Sequence, residues 1–119
     1  MSKVKRKLTT ILATDCVGFS KRMDENEELT LENLKACRSI IDPQINEFGG
    51  RIFYTAGDSV IAEFESPVEC VNAAIGFQKA INDRNNTIPK GSRLDWRVGI
   101  HLDDVIIEGD NVYGNGVNI

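Results

Sequence analysis

Apolar and polar positions along this 119-residue chain alternate between two periods, and the switches between them lay out its elements. Residues 8–17 hold a run rich in Thr, Ile, Leu and Val, as a largely buried strand requires. Gly18-Phe19-Ser20 turns the chain. Leu29, Leu31, Leu34, Ala36, Cys37, Ile40, Ile41 and Ile45 then recur mostly three or four apart with charges between them, the stripe of an amphipathic helix. Acidic residues within 25–28 suit its start, with Thr30 a possible internal start, and Gly49-Gly50 suits its end. Pro43 inside the stripe predicts a kink or a break near Asp42.

Residues 51–56 and 59–64 flank Gly57-Asp58, a turn dipeptide, and predict a hairpin. Ser66-Pro67 with Glu69 supplies an N-cap, a first-position proline and an acidic first turn. The stripe of this second helix is Val68, Val71, Ala74, Ile75, Gln78 and Ile81. A loop through Asn85-Asn86 and Pro89-Lys90-Gly91 leads to a strand over 93–102. Asp103-Asp104 separates it from a further strand at Val105-Ile106-Ile107. The order β-α-β-β-α-β-β predicts an α+β fold: a ferredoxin-like split βαβ arrangement, its antiparallel sheet carrying helices on one face. The chain is long enough for one domain with one core, taken as residues 1–119.

Composition narrows the function classes. Hydrophobic residues make up 41% and charged residues 27%, which suits a globular domain. A net charge of −4 argues against a general nucleic-acid binder, which carries a basic footprint. The basic stretch Met1–Lys7 is expected to be a solvated arm before the first strand. No segment approaches the about 20 apolar residues of a membrane span, and no signal-peptide core follows the arm, so a cytoplasmic chain is expected. Cys16, Cys37 and Cys70 are scattered and odd in number, which favours buried thiols over disulfides or zinc. His101 is the single histidine and is expected to be a packed strand residue. Trp96, Phe53 and Phe77 are expected in the core. Glu63 and Glu65 flank Phe64, and a solvated strand face suits them better than acid–base chemistry.

Two carboxylates stand apart. Asp15 ends the first apolar run and Asp58 occupies the hairpin turn. Either one alone is ordinarily a turn former or a cap. Brought together, they offer what a divalent metal carrying a nucleoside triphosphate requires: hard oxygen ligands that leave room for phosphates.

Three segments surround these residues: Thr10 through Asp15-Cys16-Val17-Gly18-Phe19-Ser20, Phe48-Gly49-Gly50-Arg51 through Gly57-Asp58-Ser59 to Phe64, and Arg97-Val98-Gly99-Ile100-His101 followed by Val112 through Asn118. In order and spacing the chain resembles the class III adenylate/guanylate (nucleotidyl) cyclase catalytic domain across its length. The resemblance implies conversion of ATP, with GTP second, to a cyclic nucleotide and pyrophosphate, in second-messenger signalling. It implies two Mg²⁺ or Mn²⁺ ions on Asp15 and Asp58, with the Cys16 carbonyl as a further ligand. One ion would hold the triphosphate and the other would activate the ribose 3′-hydroxyl. Backbone N–H groups of Val17, Gly18, Phe19 and Ser20 would hold phosphates. Asn118 would orient the ribose, and the site would form between two copies in a homodimer.

The chain departs from the family at three places. Tyr54 stands where the family has its purine-reading lysine, and Asn111 where it has that lysine's partner. The family's phosphate-stabilising arginine falls beyond Ile119, as do the closing helix and later strands, so the resemblance implies a domain cut off at its C-terminus. These departures imply little turnover by this chain alone. They keep open a second reading, a nucleotide-binding or regulatory cyclase-like module. A plain scaffold without ligand explains the fold but not both aspartate motifs.

Overall fold

The structure is a computed structural model that describes residues 5–114. Its first strand, β1, spans Lys5–Cys16. A short helix α1 (Phe19–Glu25) and a long helix α2 (Glu27–Glu47) follow. The hairpin β2 (Arg51–Ala56) and β3 (Ser59–Phe64) comes next, then α3 (Pro67–Asn85). A single 3₁₀ turn precedes β4 (Trp96–Glu108), which pairs with β5 (Asn111–Tyr113). The sheet order is β2-β3-β1-β4-β5 and every neighbouring pair is antiparallel. This is the expected ferredoxin-like α+β arrangement.

The local signals explain several boundaries. Asn26 stops α1 and caps α2, its side chain accepting a hydrogen bond from Leu29 N. Ser66 Oγ accepts from Glu69 N and Pro67 opens α3. Gly49 takes φ 81° after α2, and Gly50 N donates to Ile45 O at 2.8 Å, the cap expected of a glycine there.

Several expectations change. Helix α2 runs through Pro43 without a break. Ser39, whose carbonyl loses its N–H partner, lies with Pro43 on the exposed face, while Ile41 and Ile45 are fully buried and hold both halves on the sheet. In α3 the buried face is Cys70, Ala73, Ala74, Phe77, Ile81 and Asn85. Of the expected stripe Ala74 and Ile81 are buried, whereas Val68 and Ile75 are 66% and 61% exposed and turn toward solvent with Val71. Asp103-Asp104 does not end a strand, because β4 continues opposite Lys5–Thr9, where Arg6 pairs with Asp104 at 3.4 Å. For the same reason residues 5–7 belong to β1 rather than to a solvated arm.

Antiparallel partners share a sheet face, so the register assigns every strand residue. Leu12, Val60, Ala62, Phe64, Cys16 and Trp96 face the helices and pack with Leu34, Cys37, Ile41, Ile45, Cys70, Phe77 and Ile81. All three cysteines are free and buried, and Trp96 and Phe77 are core aromatics as expected. A smaller cluster of Ile11, Ile61, Val105 and Val112 forms on the other face, with Phe53 at its edge. It folds the β4–β5 arm back over β2 and β3, and Arg51 Nη1 reaches Asp110 O at 3.4 Å. Arg51 also pairs with Glu63 at 2.9 Å, so Glu63 is buried rather than solvated. His101 lies on β4 but is exposed, not packed.

Candidate active site

Because β1 lies beside β3, the end of β1 meets the turn that starts β3. Gly57 takes φ 56° and swings Asp58 toward β1. Asp58 Oδ2 accepts a hydrogen bond from Cys16 N at 2.8 Å. The turn-forming role is therefore real, and it fixes the carboxylate beside Asp15. Both aspartates line one open cavity of about 330 Å³ with Cys16, Gly18, Phe19, Ser20, Lys21, Ser59 and Arg97. After Cys16 the chain reverses at Gly18, with φ 66°, and α1 starts at Phe19, whose ring packs on the core and anchors the loop.

The loop amides divide by partner. Val17 N donates to Asp95 O at 2.8 Å, so this N–H is spent and cannot hold a phosphate. That corrects the expected set of phosphate donors to Gly18, Phe19 and Ser20, which also line the cavity. Cys16 presents no thiolate here. Burial first, and then the Asp58 charge, push its thiol up to about 12.

Opposite charges balance the two carboxylates. Asp15 and Arg97 are direct cross-strand partners, and Arg97 Nε donates to Asp15 Oδ1 at 2.9 Å. Lys21 stands at the same cavity from the first turn of α1. Neither cation stands out in the sequence as a site residue. Arg97 opens a recognisable motif, but its tie to Asp15 depends on the β1–β4 register.

A second cavity of about 360 Å³ adjoins the first and shares Asp15, Ser59 and Arg97 with it. Its other lining residues are Ala13, Thr14, Val60, Ile61, Val98 and Gly99. Tyr54 on β2 and Asn111 on β5 are exposed and line neither cavity. The folded-back arm brings their strands to one side of the sheet. Asn118 lies outside the described residues.

The donor set suits a hard divalent cation. Two carboxylates and a neighbouring main-chain carbonyl offer oxygen, leaving positions for phosphate and water. No group of three or more His, Cys, Asp or Glu able to hold a metal occurs among the described residues, so an all-protein cage is not what this site provides. No helix among them is long and apolar enough to cross a membrane.

No protein-family model matches the chain. The crystal structure of an adenylate/guanylate cyclase/hydrolase from Silicibacter pomeroyi is similar, with a TM-score of 0.88 and 34% identity, over 98% of this chain and 68% of that one. A curated relative named "Putative adenylate cyclase 3", from Rhizobium meliloti, is 35% identical over 117 residues, 98% of this chain. Serine/threonine-protein kinase pkn2 of Myxococcus xanthus is 29% identical over 119 residues. The chain spans only 20% and 14% of the lengths of these two curated relatives. With the sheet order, the joined aspartates and these matches in place, the chain belongs to the class III adenylate/guanylate cyclase catalytic-domain family.

Proposed function

We propose that this domain is a metal-dependent nucleotidyl cyclase that converts ATP to cyclic AMP and pyrophosphate between two copies of the chain. The observation that carries the reading is the convergence of Asp15 and Asp58 on one cavity. Bound there, Mg²⁺ or Mn²⁺ ions supply charge neutralisation of the phosphates and a lowered pKa for the ribose 3′-hydroxyl. Asp15 and Asp58 provide their oxygen ligands, with the Cys16 carbonyl beside them. Arg97 and the amides of Gly18, Phe19 and Ser20 position phosphate oxygens.

The exposure of Tyr54 and Asn111 away from the cavity supports a dimer. Tyr54 and Asn111, the residues matching the base-reading positions, do not line the aspartate cavity of their own chain. A second copy places its Tyr54, Asn111 and Asn118 over the nucleotide. Tyr54 and Asn111 are neutral hydrogen-bonding groups, so ATP is preferred to GTP only as the family default. Their neutrality also favours a second reading, a nucleotide-binding or regulatory module with little turnover.

Cyclic AMP and pyrophosphate formation from Mg-ATP or Mn-ATP, followed over a protein concentration series, separates the two. Product that depends on metal, rises faster than linearly with protein and is lost in Asp15→Ala and Asp58→Ala supports the cyclase. Metal-dependent nucleotide binding without product selects the regulatory module.

A further inference from the structure

The aspartate cavity contains one cation that the cyclase reading does not use. Lys21 lines it together with Asp15 and Asp58. It forms an ion pair with Glu25, one helical turn on, at 4.0 Å. The two side chains are 83% and 58% exposed, and such a pair holds a lysine only weakly. Of the neighbouring cations, Arg22 donates to Gly91 O at 2.9 Å, and Arg97, in the same cavity, is tied to Asp15 at 2.9 Å.

The two adjoining cavities give the site a direction. The one lined by Ala13, Ile61 and Gly99 has room for a nucleoside and the one lined by both aspartates and Lys21 fits phosphates, and they meet at Asp15, Ser59 and Arg97. Lys21 lines only the charged cavity and not the adjoining one. A nucleotide laid across both therefore presents its last phosphate to Lys21. We propose that Lys21 binds the terminal phosphate of a nucleoside triphosphate and makes the site select by phosphate count. The proposal rests on the metal–nucleotide reading of Asp15 and Asp58. The mobile ammonium leaves a weak, solvated partner for a multiply charged one, so little is lost when the phosphate arrives.

The test is equilibrium binding of ATP, ADP and AMP with Mg²⁺, at low and high salt. It compares the wild-type chain with Lys21→Gln, Lys21→Arg, Glu25→Gln and Asp58→Asn. Lys21→Gln is expected to weaken ATP about tenfold and leave AMP unchanged. The loss should shrink at high salt and be restored by Lys21→Arg. Glu25→Gln, which frees the lysine, should tighten ATP by about twofold. An unchanged ATP affinity in Lys21→Gln, or an equal loss for all three nucleotides, overturns the proposal. If Asp58→Asn still loses Mg-dependent ATP binding in that case, the cyclase reading survives without it. A wild-type chain that binds no Mg-ATP overturns both.

Discussion

Arg97 and Asp15 face each other across the β1–β4 ladder, and the guanidinium Nε sits 2.9 Å from the carboxylate oxygen. The strand register brings a cation to a carboxylate that the proposed function makes a metal ligand. On the proposed metal–nucleotide reading, Arg97 would compete with a metal for Asp15 while attracting the phosphates that the metal carries. Arg97→Ala should shift the two affinities in opposite directions. Mn²⁺ without nucleotide should bind up to about fivefold more tightly, since the pair is largely exposed. ATP should bind about tenfold more weakly. Calorimetric titration of each ligand checks both signs.

Asp58 has a structural role separable from metal binding. Its Oδ2 is the acceptor for Cys16 N. Asp58→Ala should cost about 1–3 kcal/mol, because that amide loses its partner. Asp58→Asn keeps an acceptor oxygen and should lose much less stability while still losing metal affinity. Urea denaturation of the two variants separates the roles.

Gly50 follows α2 at a point of close approach. A Cβ there would lie 2.5 Å from Phe64 Cζ and 2.7 Å from Ile45 Cγ2, both in the main core. Gly50→Ala should destabilise the fold by about 1–3 kcal/mol through overpacking. Thermal unfolding against wild type measures it.

Burial raises the Cys70 thiol from 9.0 to about 11. The unfolded chain releases this proton first, so the unfolded state binds fewer protons between those values. Stability should therefore fall as pH rises from about 9 to about 11 and be independent of this group below 9. Cys70→Ala should flatten that part of the pH–stability curve. Iodoacetamide at pH 8 should leave Cys70 unlabelled in the folded protein.

Local chemistry made much of this fold legible. Gly57-Asp58 fixed the hairpin bounds and Ser66-Pro67 the start of α3, because each is a short-range signal with its own geometry. Features set by distant partners were not legible. Val68, Val71 and Ile75 have helical spacing too, and only the packing of Phe77 and Ile81 on the sheet shows which stripe is buried. Asp103-Asp104 resembles a break until β1 is seen beside it, with Leu8 opposite Asp104 and Arg6 in an ion pair with Asp104.

The site divides in the same way. Asp15 and Asp58 stand out by their positions at strand ends. Arg97 becomes a site residue only through the β1–β4 register, and the spent amide of Val17 only through Asp95. Lys21 looks like any solvated helix lysine until the cavity is traced.

The central claim is that Asp15 and Asp58 together hold a metal–nucleotide complex. Electron paramagnetic resonance of Mn²⁺ in the presence of ATP tests it most directly, in wild type, Asp15→Asn and Asp58→Asn. Wild type should bind Mn-ATP, and each folded variant should lose that binding. Undiminished Mn-ATP binding in both variants would contradict the account.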